Sequence, residues 1–440
     1  MPKQINQSID IPHLGRVEGH GGIHVEITDG EISQVDMEIY EGSRYYEVLV
    51  VGKHFTDVPP IVSRVCAICS ADHTLASQMA VEDAMGIEIT PRTRLLRGLL
   101  LHGSMIESHA LHVFALALPD LLGYPSLLAM VDDYPEQATI GLELKKLGNT
   151  VQEMIGGRAI HPVNAVVGGF GKIPSKDDLI HLADQLEHGL HDALKLVDLL
   201  GSLDLPDYSD ETNIYAALHN AEERYSYLGH EIFTSTGERK PIHKFREICH
   251  ERVVGHSTAK QSLYSDNPFM TGALARININ GHLLEGKAKE VQEQLLSDLP
   301  NYNDLHNNTA QFIEIIHSLQ RAHYLVQQLI QEPLDDENPI RKTGKSGVGV
   351  GALEAPRGTL YHYYEIDKAG VVTDADIITP TAQNLANIEK DFRTAVEQKI
   401  ESSHDELKHQ LEMIARAYDP CISCAVHLVD VMFRDEREGV

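Results

Sequence analysis

The chain has no tryptophan, only five cysteines and few positive charges: 37 Lys and Arg stand against 65 Asp and Glu, a formal net charge of −28. Each scarcity excludes something. So acidic a balance argues against a nucleic-acid or anionic-membrane partner, because a polyanion would be repelled. No apolar run reaches the roughly 20 residues that a bilayer-spanning helix requires, so no direct membrane span is expected. Residues 1–10 are polar and lack the apolar core of a leader peptide, which makes the cytoplasm the simplest compartment. Internal repeats and low-complexity tracts are missing too. Aromatic residues are sparse at 6%, whereas the 25 histidines exceed what a surface needs, so some should have interior roles.

Four of the five cysteines fall into two C-x-x-C pairs, Cys66 with Cys69 and Cys421 with Cys424. On a tight turn both sulfurs of such a pair can point at one metal. In a zinc ribbon the pairs lie roughly 15 to 20 residues apart, but here almost the whole chain separates them, so a four-thiolate site would close only on complete folding. Soft thiolates select nickel, zinc, copper(I) or iron. Spacing alone leaves a structural zinc site, a redox-active metal centre and disulfides open. Cys249, outside the pattern, reads as a small buried hydrophobe.

The segments around the pairs, Arg64-Val-Cys66-Ala-Ile-Cys69 with His73, and Asp419-Pro-Cys421-Ile-Ser-Cys424 with His427, resemble the two cysteine motifs of the nickel-iron hydrogenase large subunit. Ala67 replaces a glycine common in that family. Three further segments follow the same resemblance in order: Arg16-Val-Glu18-Gly-His20, Glu47 with Gly52, and Glu354-Ala-Pro-Arg357-Gly with His362. It implies a nickel held by all four thiolates, Cys66 and Cys421 terminal, Cys69 and Cys424 bridging to an iron with carbon monoxide and two cyanides. Arg357 would face those cyanides, Thr381 would donate to one, His73 would bond the Cys69 sulfur and Asp419 would orient Arg357. Cys421 would take a proton from dihydrogen and Glu18 would pass it outward, as a carboxyl can. Magnesium is implied at Glu47, the carbonyl of Ile377 and His427, in keeping with its preference for oxygen ligands and retained water.

With no cysteines left for iron-sulfur clusters, the resemblance implies an iron-sulfur small subunit, further diaphorase-type electron-transfer subunits, maturation chaperones and a C-terminal endopeptidase. The sequence is similar to the soluble, nicotinamide- or carrier-linked group. Residues 1–427 would form a single domain and 428–440 an extension removed after His427. Other readings with the same site are a hydrogen sensor or a zinc-stapled scaffold. A relative of the complex I quinone-site subunit would lack this cysteine set.

The fold expected is mainly α (α+β), a buried long-helix bundle with an N-terminal β-hairpin region, like the hydrogenase large subunit. Residues 23–28 and 31–40 alternate apolar and polar around Asp29-Gly30, a two-residue turn. Helices are expected over 71–85, stopped by Gly86, and from the Thr90 cap and Pro91 onward, with 95–118 apolar nearly all round. His102, His109 and His112 lie on one stripe of the latter. Further helices are expected over 142–155, 175–200, 303–330, 381–400 and 404–417. Residues 204–280 read as irregular and without chemistry. Gly344-Lys-Ser resembles the end of a phosphate-binding loop, but Pro339 stands where that loop needs glycine.

Overall fold

The computed structural model describes residues 6–220, 222, 224–331, 339–340 and 345–426. The expected His427 ligand and the 428–440 extension lie outside them. Helices dominate, and most of the expected ones form. The Thr90 side chain accepts from the Thr93 amide to start Pro91–Ala110, Ser175 and Asp178 close a capping box before Lys176–Leu194, and Ser403 and Glu406 close another before His404–Ala417. Ser70–Met85 ends on Gly86 in the left-handed region. The helix after Pro91 is not uniform: it loosens into a π-helical stretch at Leu111–Ala117, a form common near functional sites. The expected 142–155 helix begins earlier, at Pro135, and 175–200 breaks after Leu194 into a second short helix.

The bundle centres on Asn307–Gln331, whose residues from Asn307 to Leu319 are all buried. It packs on Pro91–Ala110 and on Lys176–Leu194, while Pro135–Gly156 covers the outer side of Pro91–Ala110. Among the described residues no helix is long and apolar enough to cross a membrane.

Sheets frame this bundle. The expected hairpin forms as Gly21–Thr28 and Glu31–Ile39, and an additional strand, Gln7–Ile11, pairs antiparallel with the first. One expectation is corrected. Residues 204–280 hold a three-stranded sheet (Ala216–His219, Glu231–Thr234, Arg239–Pro241), a small hairpin (His250–Arg252, Gln261–Leu263) and the helix Ala273–Asn280. The glycine-rich stretch after Ser346 is a strand, Gly347–Ala355, paired with Gly358–Ile366 and through it with Val372–Ile378. Its glycines have a steric cause: a Cβ on Gly349 or Gly351 would lie 2.1 and 2.0 Å from the carbonyl oxygens of Ala80 and Ala76. Strand and helix backbones thus meet without side chains between them, which fixes Ser70–Met85 against this hairpin.

Candidate metal centre

The hairpin's two-residue turn is Pro356-Arg357, and the helix pressed against its strands begins just after Cys69, so backbone packing brings an arginine to the first sulfur pair. The second pair arrives on the short helix Ile422–Ala425, laid beside the loop that follows Gln7–Ile11: Ile422 N–H donates to Glu18 O at 2.9 Å. Gly19 makes this approach feasible, since a Cβ there would sit 2.7 Å from Ile422 Cβ.

All four sulfurs are buried and lie within 4.8 Å of one another, and none is joined in a disulfide. The cysteines pair across the motifs rather than within them: Cys421 Sγ lies 3.3 Å from Cys66 Sγ, and Cys69 Sγ 3.5 Å from Cys424 Sγ. Hydrogen bonds from the Cys421, Cys424 and Cys69 thiols hold Cys66 well below the usual thiol range. Burial pushes Cys421 and Cys424 well above it. A metal entering this cluster would displace the protons that burial retains.

Cys69, Cys421, Cys424, Thr381 and Arg357 line a small cavity beside the sulfurs. Arg357 is buried and braced by Asp419, with Nε donating to the main-chain oxygen at 2.8 Å and Nη2 to the carboxylate at 3.1 Å. Among the described residues its Nη1 is buried with no partner, a donor free for a group outside them. Thr381 Oγ1 accepts from Cys421 N–H at 2.9 Å, so its own proton is left to donate elsewhere. A four-thiolate cage beside an unpaired guanidinium nitrogen fits a soft metal carrying anionic ligands.

Glu18 is half-buried and touches the cluster: Cys421 Sγ donates to its Oε2 at 3.2 Å. Ser423 holds the same carboxylate through its amide (3.1 Å) and hydroxyl (2.5 Å). His73 is buried near the cluster, and burial pushes it down to about 4, which keeps the ring neutral. Its Nδ1 meets His362 Nε2 at 3.0 Å; the expected bond to the Cys69 sulfur is not among its contacts in the described residues. Glu47 and Ile377 do come together, but through the Ile377 amide, which donates to Glu47 Oε1 at 3.1 Å. Burial pushes Glu47 up to about 7.

Sequence reasoning missed the groups that hold these in place. Arg276, from the stretch read as featureless, is buried and donates to the carbonyls of Ala355 (3.0 Å) and Pro356 (3.1 Å), just before Arg357, while gripping Glu314 and Glu354. Only a lone arginine in an apolar helix, Ala273–Asn280, hinted at it. Asp72, one turn after Cys69, is fully buried with one oxygen on Ser104 Oγ (2.7 Å), and burial pushes it up to about 7. Arg44 ties down the first cysteine loop through the carbonyls of Val65 (2.7 Å) and Arg64 (3.0 Å).

The sequence profile described as nickel-dependent hydrogenase matches residues 44–139 and 243–427. The chain is 40% identical over 428 residues to the α subunit of sulfhydrogenase 1 from Pyrococcus furiosus, covering 97% of this chain and 99% of that one. It is 37% identical to the α subunit of sulfhydrogenase 2 from the same organism, over 96% of this chain and 99% of the relative. Among solved structures, an NAD+-reducing NiFe hydrogenase in the H2-reduced state superposes with a TM-score of 0.87 at 26% identity, covering 96% of this chain and 99% of that one.

Proposed function

Because this chain belongs to the nickel-dependent hydrogenase family, as a catalytic subunit with a four-cysteine site, we propose that Cys421 and Glu18 carry the proton released when dihydrogen is split. The observation that carries this reading is the contact of Cys421 Sγ with Glu18 at 3.2 Å, between a buried sulfur and a half-buried carboxylate. Nickel and iron held by the four thiolates would supply the Lewis acidity that makes dihydrogen acidic enough to lose a proton. Cys421 accepts that proton as a thiolate; Glu18 takes it from the sulfur, and Ser423 keeps the carboxylate turned toward it.

The cavity beside Cys69 and Cys424 suits an iron with carbon monoxide and two cyanides: Arg357 Nη1 and the Thr381 hydroxyl are both available as donors to cyanide nitrogen. His73, neutral and braced by His362, lines the same cavity. Glu47 and the neighbouring Ile377 backbone would bind magnesium together with His427.

Electrons leave through an iron-sulfur small subunit docked over the first cysteine loop. Ala67, between Cys66 and Cys69 in the chain, is exposed. Tyr45, Val48 and Leu49, next to the Arg44 that bonds this loop, are exposed, as are Ile160 and Val163, which flank the His161 that bonds Ser63 O and Ser70 Oγ. So many exposed apolar groups around one loop mark an interface. Diaphorase-type subunits complete the assembly in the cytoplasm, and maturation chaperones and an endopeptidase acting after His427 precede it. Both Pyrococcus furiosus relatives are α subunits of sulfhydrogenases, which supports a multisubunit enzyme.

The test is metal analysis with infrared spectroscopy on protein purified from its host without oxygen. About one nickel and one iron per chain, with cyanide and carbonyl bands, is the expected result. Zinc without those bands in fully matured protein would overturn the reading.

A further inference from the structure

His317, Gln320, Arg321 and Tyr324 stand three and four residues apart on the helix Asn307–Gln331 and so share one of its faces. That face lines a cavity of about 420 Å3. Arg224 enters it from the loop before Glu231–Thr234, and Gly286 from the start of the helix Gly286–Leu295. None of these residues lines the cavity beside the sulfurs.

The polar groups of this cavity are poorly matched by protein. Arg321 forms no ion pair among the described residues; it lies over the Tyr324 ring, 4.5 Å from the centroid, and burial and then the neighbouring Arg224 both push it down from the ordinary arginine range. Arg224 has one loose, exposed contact, with Glu222 at 3.9 Å. The two guanidinium groups share the cavity with a single carboxylate, Glu285. His317 is only 9% exposed, and among the described residues its Nε2 is buried without a partner, a group that calls for one. The helix Gly286–Leu295 has no side-chain cap. Of its first amides, that of Ala288 is taken by Gln320 Oε1 at 2.8 Å, and a helix start left otherwise open attracts an anion. Glycine lets that start come so near: Gly286 has a φ of +57°, and a Cβ there would lie 2.5 Å from Gln320 Nε2.

We propose that this cavity binds an organic phosphate, its phosphoryl group held by Arg321, Arg224 and His317 Nε2 at the open start of Gly286–Leu295 and its apolar part lying against Leu283 and Tyr324. Donors from three segments of the chain outnumber the two oxygens of a carboxylate, whereas a phosphoryl group offers three strong acceptors and a charge that two arginines can share. Burial pushes His317 down to about 4, and a neutral ring with its proton on Nε2 can donate to such an oxygen. The size of the cavity excludes a bare ion as its full occupant, since sites for small organic molecules begin at about 300 Å3. Tyr324, 47% exposed, and Leu283 supply the apolar surface that the rest of the molecule would cover.

The site stands apart from the hydrogen chemistry proposed above, and its test does not use turnover. Calorimetric titration of the assembled, full-length enzyme with phenyl phosphate, inorganic phosphate and benzoate separates the alternatives. Phenyl phosphate is expected to bind, and Arg321→Gln identifies the site: the variant should bind it at least about tenfold more weakly, as loss of a charge-assisted hydrogen bond does. Inorganic phosphate should bind roughly tenfold more weakly than phenyl phosphate, for want of the apolar contacts, and benzoate more weakly still. Inorganic phosphate binding as tightly as phenyl phosphate would overturn the organic ligand, and benzoate binding as tightly would overturn the phosphoryl group. Parental affinity in Arg321→Gln, or no phenyl phosphate binding by the parent at millimolar concentration, would overturn the site altogether. Should Arg321→Gln lower the melting temperature, Arg224→Gln, at an exposed position, is read in the same way. If the protein holds no nickel, the hydrogenase reading fails while the titrations still decide this site.

Discussion

The two halves of the sulfur cluster are held by different physics. Cys66 and Cys69 sit on a loop pinned by Arg44 and run straight into a 16-residue helix whose backbone lies against Gly349 and Gly351 with nothing between. Cys421 and Cys424 ride on a four-residue helix with no side-chain cap, and are secured by polar groups from distant segments: Glu18, Thr381 and the Arg357–Asp419 pair. The first half is built by packing and the second is latched by hydrogen bonds. Groups able to move protons or donate to small anions accordingly gather at the second.

Disrupting the packed half should have the largest effect. Gly351→Val drives a branched side chain into the carbonyl of Ala76, where a Cβ alone would stand at 2.0 Å. Overpacking of this kind costs on the order of 3 kcal/mol, and no side-chain rotation relieves a clash with backbone. Thermal melts of the variant should fall well below the parent, and nickel loading should fail with them. A variant that melts like the parent would show that helix and strand are not in the contact described.

Glu18→Gln addresses the latched half. The amide oxygen can still accept from Ser423 and keep the short helix in place, but the side chain no longer carries a proton. Turnover should fall about a hundredfold or more, the range for losing a positioned proton carrier, while nickel content and melting temperature stay at parental values. A loss of metal instead would mean that Glu18 holds the latch and does not relay.

How legible each half was in the sequence follows from the same division. The cysteine pairs were readable from their spacing, whereas Glu18, Arg357 and Thr381 were singled out only by the family resemblance; the structure brings all of them to the sulfurs. Helix starts were readable because Thr90, Ser175 and Ser403 cap locally. The strand Gly347–Ala355 was not. Alternating glycine and valine look like a loop until the facing Ala76, Ala80 and Ala84 are known, and that pairing spans most of the chain. Arg276 was hidden for a related reason, since its role comes from buried partners at Glu314 and Glu354 that no local pattern announces. The His73 ring, expected against sulfur, is drawn to His362 by a strand whose existence was not foreseen.

Buried Asp72, between the packed helix and Ser104, offers a subtler test of the first half. Its folded-state value near 7 lies above the ordinary 3.8, so between those limits the folded chain keeps a proton that the unfolded chain has released. Stability from this group is therefore full below about pH 4 and declines as pH rises toward 7, by an amount on the order of a few kcal/mol. Asp72→Asn should remove that decline. The difference between variant and parent is the proper measure, because Glu47, also pushed up to about 7, adds a slope of the same sign, while His73, pushed down to about 4, adds one of the opposite sign. Denaturant melts of the metal-free chain from about pH 5 to 8 should show the variant gaining on the parent as pH rises; parallel curves would mean Asp72 is ionised in the fold.

The smallest expected change lies at the latch itself. Ser423→Ala deletes one of two bonds that turn the Glu18 carboxylate, the 2.5 Å hydroxyl contact, and leaves the 3.1 Å amide contact in place. Losing one such bond at a half-buried site costs about 1 kcal/mol, so turnover should drop no more than about tenfold with nickel retained. The comparison with Glu18→Gln then separates two routes outward. If Ser423→Ala is mild, the proton leaves Glu18 directly and the serine only orients it. If the two variants are equally impaired, the hydroxyl is the next carrier, and the latch holding the second sulfur pair is also the path by which its proton departs.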